Sequence, residues 1–117
     1  MAAKTQINKI IDTDVNSLAT DIWESPIIPN TKEVVITNFG GFDAILADGI
    51  SGIIGLQWGS TGAWETIRGG GYGVFNFENL NLSFTGDGVK KFRIVRINKS
   101  SAVKRMTVWA YGRVNDA

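Results

Sequence analysis

Val89-Lys90-Lys91-Phe92-Arg93-Ile94-Val95-Arg96-Ile97 and, after the polar cluster Asn98-Lys99-Ser100-Ser101-Ala102, Arg105-Met106-Thr107-Val108-Trp109-Ala110-Tyr111-Gly112-Arg113-Val114 decide the fold class. Both runs are rich in β-branched and aromatic residues and alternate in polarity, as half-buried strands do. With a turn between them they predict a β-hairpin. Pairing Phe92 with Ala110 and Ile94 with Val108 makes one face apolar. The same register sets Arg93 against Trp109 and Lys91 against Tyr111, which allows cation–π contacts of roughly 0.5–1 kcal/mol each. A shift of one residue would oppose Arg96 to Arg105, a like-charge pair.

Upstream, the signals are again those of short strands. Lys32–Asn38 reads as a strand ended by Asn38-Phe39-Gly40-Gly41, and Phe42–Ala47 reads as its hairpin partner, closed by Asp48-Gly49. From Gly49 to Gly73 glycine recurs around Ile53-Ile54, Leu56-Gln57-Trp58 and Ala63–Ile67, with Gly69-Gly70-Gly71 as a loop. Val74–Phe77 and Leu80–Phe84 alternate on either side of a turn at Glu78-Asn79. Residues 5–28 admit two readings. Ile7, Ile11, Val15, Leu18 and Ile22 fall at helical spacing, but the Asp, Asn, Ser and Thr residues among them favour turns and caps. Two short strands, Gln6–Ile11 and Ser17–Trp23, fit the rest of the chain better. Eight to nine short strands with regular turn signals predict one all-β domain over residues 1–117, an antiparallel sandwich or barrel.

Composition narrows the chemistry. The chain of 117 residues has no cysteine and no histidine, which removes disulfides, thiolate nucleophiles, Cys- and His-based metal sites and the commonest general base. No cofactor or metal is expected. Asp12-Thr13-Asp14-Val15-Asn16 opens like a calcium loop, yet Ser17 stands where glycine is required and Trp23 where the bidentate glutamate belongs. Gly69-Gly70-Gly71-Tyr72-Gly73 lacks the Lys-Ser/Thr ending of a phosphate loop. Glu65 and Glu78 form no recognisable catalytic pair, so no catalytic residue is assigned and a non-enzyme is expected. Neither an apolar leader nor a run near the roughly 20 residues of a spanning helix is visible, which points to a protein made and kept in a cytoplasm or assembled there.

Charge is uneven: residues 1–48 carry −4, residues 49–87 carry −2 and residues 88–117 carry +7. Either acidic and basic strands neighbour each other within the fold, or complementary surfaces meet another molecule. On the second reading Lys91, Arg93, Arg96, Trp109 and Tyr111 are the candidate interface. The same basic and aromatic mixture suits a nucleic-acid site, but residues 88–95 do not match the RNP1 pattern and basic residues also protect edge strands. Trp58, Trp64 and Tyr72 in the turn-rich middle are either core or interface anchors or a platform for stacking on sugars.

The order of segments resembles the small, jelly-roll-like β-sandwich modules among tailed-bacteriophage structural proteins. The resemblance is carried by Ile28–Asn38, Ala44–Gly55 and Leu80–Gly88, followed by the strand with Phe92 and Ile94, and covers residues 28–97. The basic C-terminal hairpin and the four tryptophans depart from it. The resemblance implies no catalytic residues. It implies a homo-oligomeric virion component of tail, neck, decoration or host-attachment type, in contact with other virion proteins. On that view a lectin-like carbohydrate-binding module, recognising a host-surface glycan, is the rival, and a nucleic-acid-binding β domain comes third.

Overall fold

The computed structural model describes residues 5–43, 52–71 and 74–116. It is all-β, and residues 5–28 form strands rather than a helix. Among the described residues there are nine strands: β1 Thr5–Val15, β2 Thr20–Glu24, β3 Lys32–Asp43, β4 Ile53–Ser60, β5 Ala63–Gly71, β6 Val74–Phe77, β7 Leu82–Thr85, β8 Lys91–Ile97 and β9 Lys104–Asp116. They make two antiparallel sheets. The front sheet runs β1-β9-β3-β6 with β7 also on β3, and the back sheet runs β2-β8-β4-β5.

The topology follows from one long antiparallel ribbon rolled on itself. Its tip is the tight β4–β5 turn, where Ser60 pairs with Ala63 and Gly62 supplies a φ of 80°, a backbone that glycine adopts without strain. Moving outward from the tip, β3 pairs with β6 and β7, β2 with β8, and β1 with β9. Rolling then adds the β3–β9 and β4–β8 pairings. This is the strand order of a jelly roll, with its next-to-last front strand split into β6 and β7.

The expected C-terminal hairpin does not exist. β8 lies in the back sheet between β2 and β4, and β9 lies in the front sheet between β1 and β3. Residues 98–103 therefore cross the roughly 10 Å between stacked sheets instead of turning within one. Phe92, Ile94, Val108 and Ala110 are all buried in the core, but they meet across the sandwich. Alternation of period two is the same whether the apolar partner lies beside a strand or opposite it.

Two further expectations change. Gly40-Gly41 does not turn the chain: β3 continues through them, with an irregularity between Ile36 and Asn38. Gly69, Gly70 and Gly71 are not a loop but pair with Gly55, Ile54 and Ile53. Residues 44–47, the rest of the expected strand after Gly41, lie outside the described residues.

The core is built where inward positions of the two sheets meet. Ile54, Leu56 and Trp58 of β4 and Phe92 and Ile94 of β8 face Val34, Ile36 and Phe39 of β3 and Met106, Val108 and Ala110 of β9. Trp58 packs on Phe92 at a centroid distance of 4.6 Å and on Phe84 at 5.4 Å, and Phe84 meets Phe92 edge-on.

Candidate interaction faces

Jelly-roll pairing puts the acidic N-terminal strands directly beside the basic C-terminal ones. Asp12 accepts two bonds from Arg105, at 2.6 and 2.9 Å, and a third from Thr107. These hold the Asp12 carboxyl at about 2 and raise the Arg105 guanidinium above its ordinary value. Asp21 pairs with Arg96, Glu24 with Lys91 and Asp116 with Lys32. Three of these four pairs join an N-terminal acid to a C-terminal base, so the charge asymmetry of the sequence is met in part inside one chain.

The five candidate interface residues separate accordingly. Arg96 is 2% exposed and points into the sandwich. It donates to the backbone carbonyls of Thr13 and Met106, to Thr13 Oγ1 and twice to Asp21. It joins the two sheets and offers no surface to a partner, which corrects its place in the interface. Lys91 and Arg93 face outward from the back sheet, whereas Trp109 and Tyr111 face outward from the front sheet. The expected Arg93–Trp109 and Lys91–Tyr111 contacts are therefore not made.

On the back face the neighbours of Arg93 come from β4 and β5. Its Nε donates to Gln57 at 2.6 Å, Gln57 donates to Thr66 at 3.1 Å, and the guanidinium sits 4.3 Å above the Trp64 ring. Trp64 lies opposite Gly59, where a Cβ would strike the Ala63 carbonyl of the facing strand. Of the three candidate sugar-stacking aromatics, Trp64 is half-buried on this face. Trp58 is 8% exposed and enclosed by Phe84 and Phe92, so it presents no ring to a ligand. Tyr72 lies outside the described residues. The Ile54-Leu56-Trp58 alternation already places Trp58 inward.

On the front face a row of residues runs across the strands: Ile10, Trp109, Gly40 and Asn76. The Trp109 ring lies flat on Gly40, where a Cβ would come within 2.5 Å of the indole. That contact is the physical reason for a glycine inside β3. Tyr111 stands in the next row between Asn8 and Asn38, and Phe42 in the row on the other side, opposite Thr107. Ile10 is 54% and Phe42 44% exposed, so the face carries an apolar, aromatic patch with the Asp12–Arg105 pair at its rim. Sequence reasoning found Trp109 and Tyr111 but missed Ile10, Phe42 and Gly40. The outward parity of Ile10 in β1 was the available signal.

Among the described residues, no group of three acidic side chains is placed to hold a metal ion, and no helix is long and apolar enough to cross a membrane. No protein-family model and no curated protein matches the chain. Among solved structures it is similar to a mitogen derived from Yersinia pseudotuberculosis, at 14% identity with a TM-score of 0.40 over 82% of this chain and 86% of that one. It is also similar to PirA, at 19% identity with a TM-score of 0.37 over 94% of this chain and 92% of that one.

Proposed function

We propose that this jelly roll is a non-enzymatic structural module of a phage or phage-like virion, of tail, neck, decoration or host-attachment type, and that copies associate through the front face. The observation that carries the reading is the Ile10–Trp109–Phe42 patch. Its centre is apolar and aromatic, and the Asp12 and Arg105 charges at its rim are paired with each other within the chain. Depletion of charge at the centre with aromatic enrichment is the composition of a subunit contact. A patch of no net sign can also meet its own copy across a two-fold axis. The sequence resemblance to phage modules supplies the setting. A contact between the acidic N-terminal part of one copy and the basic C-terminal part of the next loses part of its support, because three such acid–base pairs form within one chain.

Light scattering over a concentration series at low and high salt tests this. The expected result is a discrete oligomer that persists on dilution and changes little with salt, since the contact is apolar. The double substitution Ile10→Lys with Phe42→Lys, at two exposed positions, should give a folded monomer. A wild-type monomer at every concentration, or an oligomer indifferent to both substitutions, overturns it.

A lectin-like reading is favoured by one observation, the half-buried Trp64 ring beside Gln57 and Thr66 on the back face. It predicts a tryptophan fluorescence shift on adding oligosaccharides, lost in Trp64→Ala.

A further inference from the structure

Between β1 and β2, the neighbouring edges of the two sheets, the sandwich holds an apolar cavity of about 250 Å³. Ile28, Ile36, Leu56, Ile94, Ala110 and Val114 contribute to its walls. Two more of its lining residues, Lys9 and Trp23, come from the two edge strands. The Lys9 ammonium lies 4.7 Å from the Trp23 ring centroid, so one side chain from each sheet closes the seam. The same two residues also line a shallower groove of mixed polarity along the seam, with Ile10, Ile22, Asp12 and Asp21. Lys9 and Trp23 therefore stand at the boundary between a wholly apolar interior and a groove where charged side chains begin.

Lys9 breaks the inward pattern Ile7-Lys9-Ile11 of β1, and its aliphatic stem lines the apolar space while its ammonium sits over Trp23. Among the described residues no carboxylate pairs with it, whereas Asp12 and Asp21 beside it are bound by Arg105 and Arg96. An aromatic face is its interaction. A cation held at the rim of an apolar cavity, with its anionic neighbours neutralised, is the complement of a molecule with an apolar tail and an anionic head. From these features we infer that the β1–β2 seam binds a monomeric amphiphile, a medium-chain carboxylate, with its alkyl chain between the sheets and its carboxylate on Lys9.

Size sets the chain length. An apolar cavity of about 150 Å³ takes a benzene ring, and scaling by carbon count gives room here for roughly ten carbons. Each methylene that enters should tighten binding roughly fourfold, up to that length and no further. The site is distinct from the front-face patch, and its test reads ligand binding rather than assembly.

The experiment is a calorimetric titration of the full chain with sodium hexanoate, octanoate, decanoate and dodecanoate, all below their micelle concentrations, with tryptophan fluorescence of the wild type and of Trp23→Phe followed in parallel. Expected are affinities that climb from hexanoate to decanoate and then level off. Lys9→Met should weaken decanoate about tenfold while leaving decanol binding unchanged, a split that loss of structure would not produce. Ala110→Val, which narrows the cavity, should shorten the preferred chain by about two carbons. The inference is overturned by absence of decanoate binding to the wild type, by equal affinity for decanoate and decyltrimethylammonium, or by binding to phosphatidylglycerol vesicles without binding to the monomeric acids.

Discussion

Arg96 and Lys9 are both basic residues directed into the sandwich, and the molecule treats them in opposite ways. Arg96, on β8, has five hydrogen bonds and an ion pair with Asp21. Lys9, on β1, has the face of Trp23. Around Arg96 the neighbouring loops are also fastened: the Asn98 amide donates to the carbonyls of Val15, Asn16 and Ala102, and its Oδ1 accepts from Ser100. Around Lys9 the sheets part over an apolar cavity. A buried charge is tolerated where geometry provides fixed partners. The region lacking them is the one with room for something else.

The largest expected effect comes from undoing the fastened region. Arg96→Met keeps the bulk of the side chain but strips partners from the Thr13 and Met106 carbonyls and leaves Asp21 unpaired. Since Asp21 is partly solvated, the loss should fall near the lower end of the range for broken buried pairs, about 3 kcal/mol. A urea denaturation midpoint measures it. A loss below about 1 kcal/mol would mean that water replaces the guanidinium, and the contrast between the two regions would fail.

Adding one methyl group sharpens the contrast with a change of sign. Val15→Ile places it beside Asn98 where the core is closed, and should destabilise by about 1 kcal/mol. Val114→Ile places it at the cavity wall, and should stabilise by about 0.5–1 kcal/mol. Equal penalties at both positions, read from the same denaturation curves, would show that the cavity is not space a side chain can use.

How much of this was legible in the sequence depends on which contact is asked for. The inward sets Phe92-Ile94 and Val108-Ala110 could be read from alternation, since period two is a property of each strand alone. That they face each other across two sheets could not, because a polar connector of six residues serves a wide turn or a crossing equally well. Gly40 looked like punctuation, but its reason is the Trp109 ring, which is remote in the chain. The inward parity of Arg96 and Lys9 was visible as a cation in an apolar alternation. Their fates were not, because the partners of Arg96 come from β1, β2 and β9, and only the rolled ribbon brings those together.

The smallest effect belongs to an exposed pair that serves as the reference for Arg96. Asp12 is bound by Arg105 and Thr107 on the front face, and its carboxyl is lowered from 3.8 to about 2. A group with a depressed folded value contributes stability that is present above its unfolded value and lost as pH falls through the folded one. Asp12→Asn should therefore be somewhat less stable than the wild type at pH 7, and the two should converge as pH drops from about 4 towards 2. Because both side chains are solvated, the gap at pH 7 should be well below that of Arg96→Met and should shrink in 1 M salt. Urea midpoints at pH 7 and pH 2 decide it. A gap at pH 7 as large as that of Arg96→Met would mean that burial is not what separates the two pairs, and that the front-face rim is itself part of the fold's fastening.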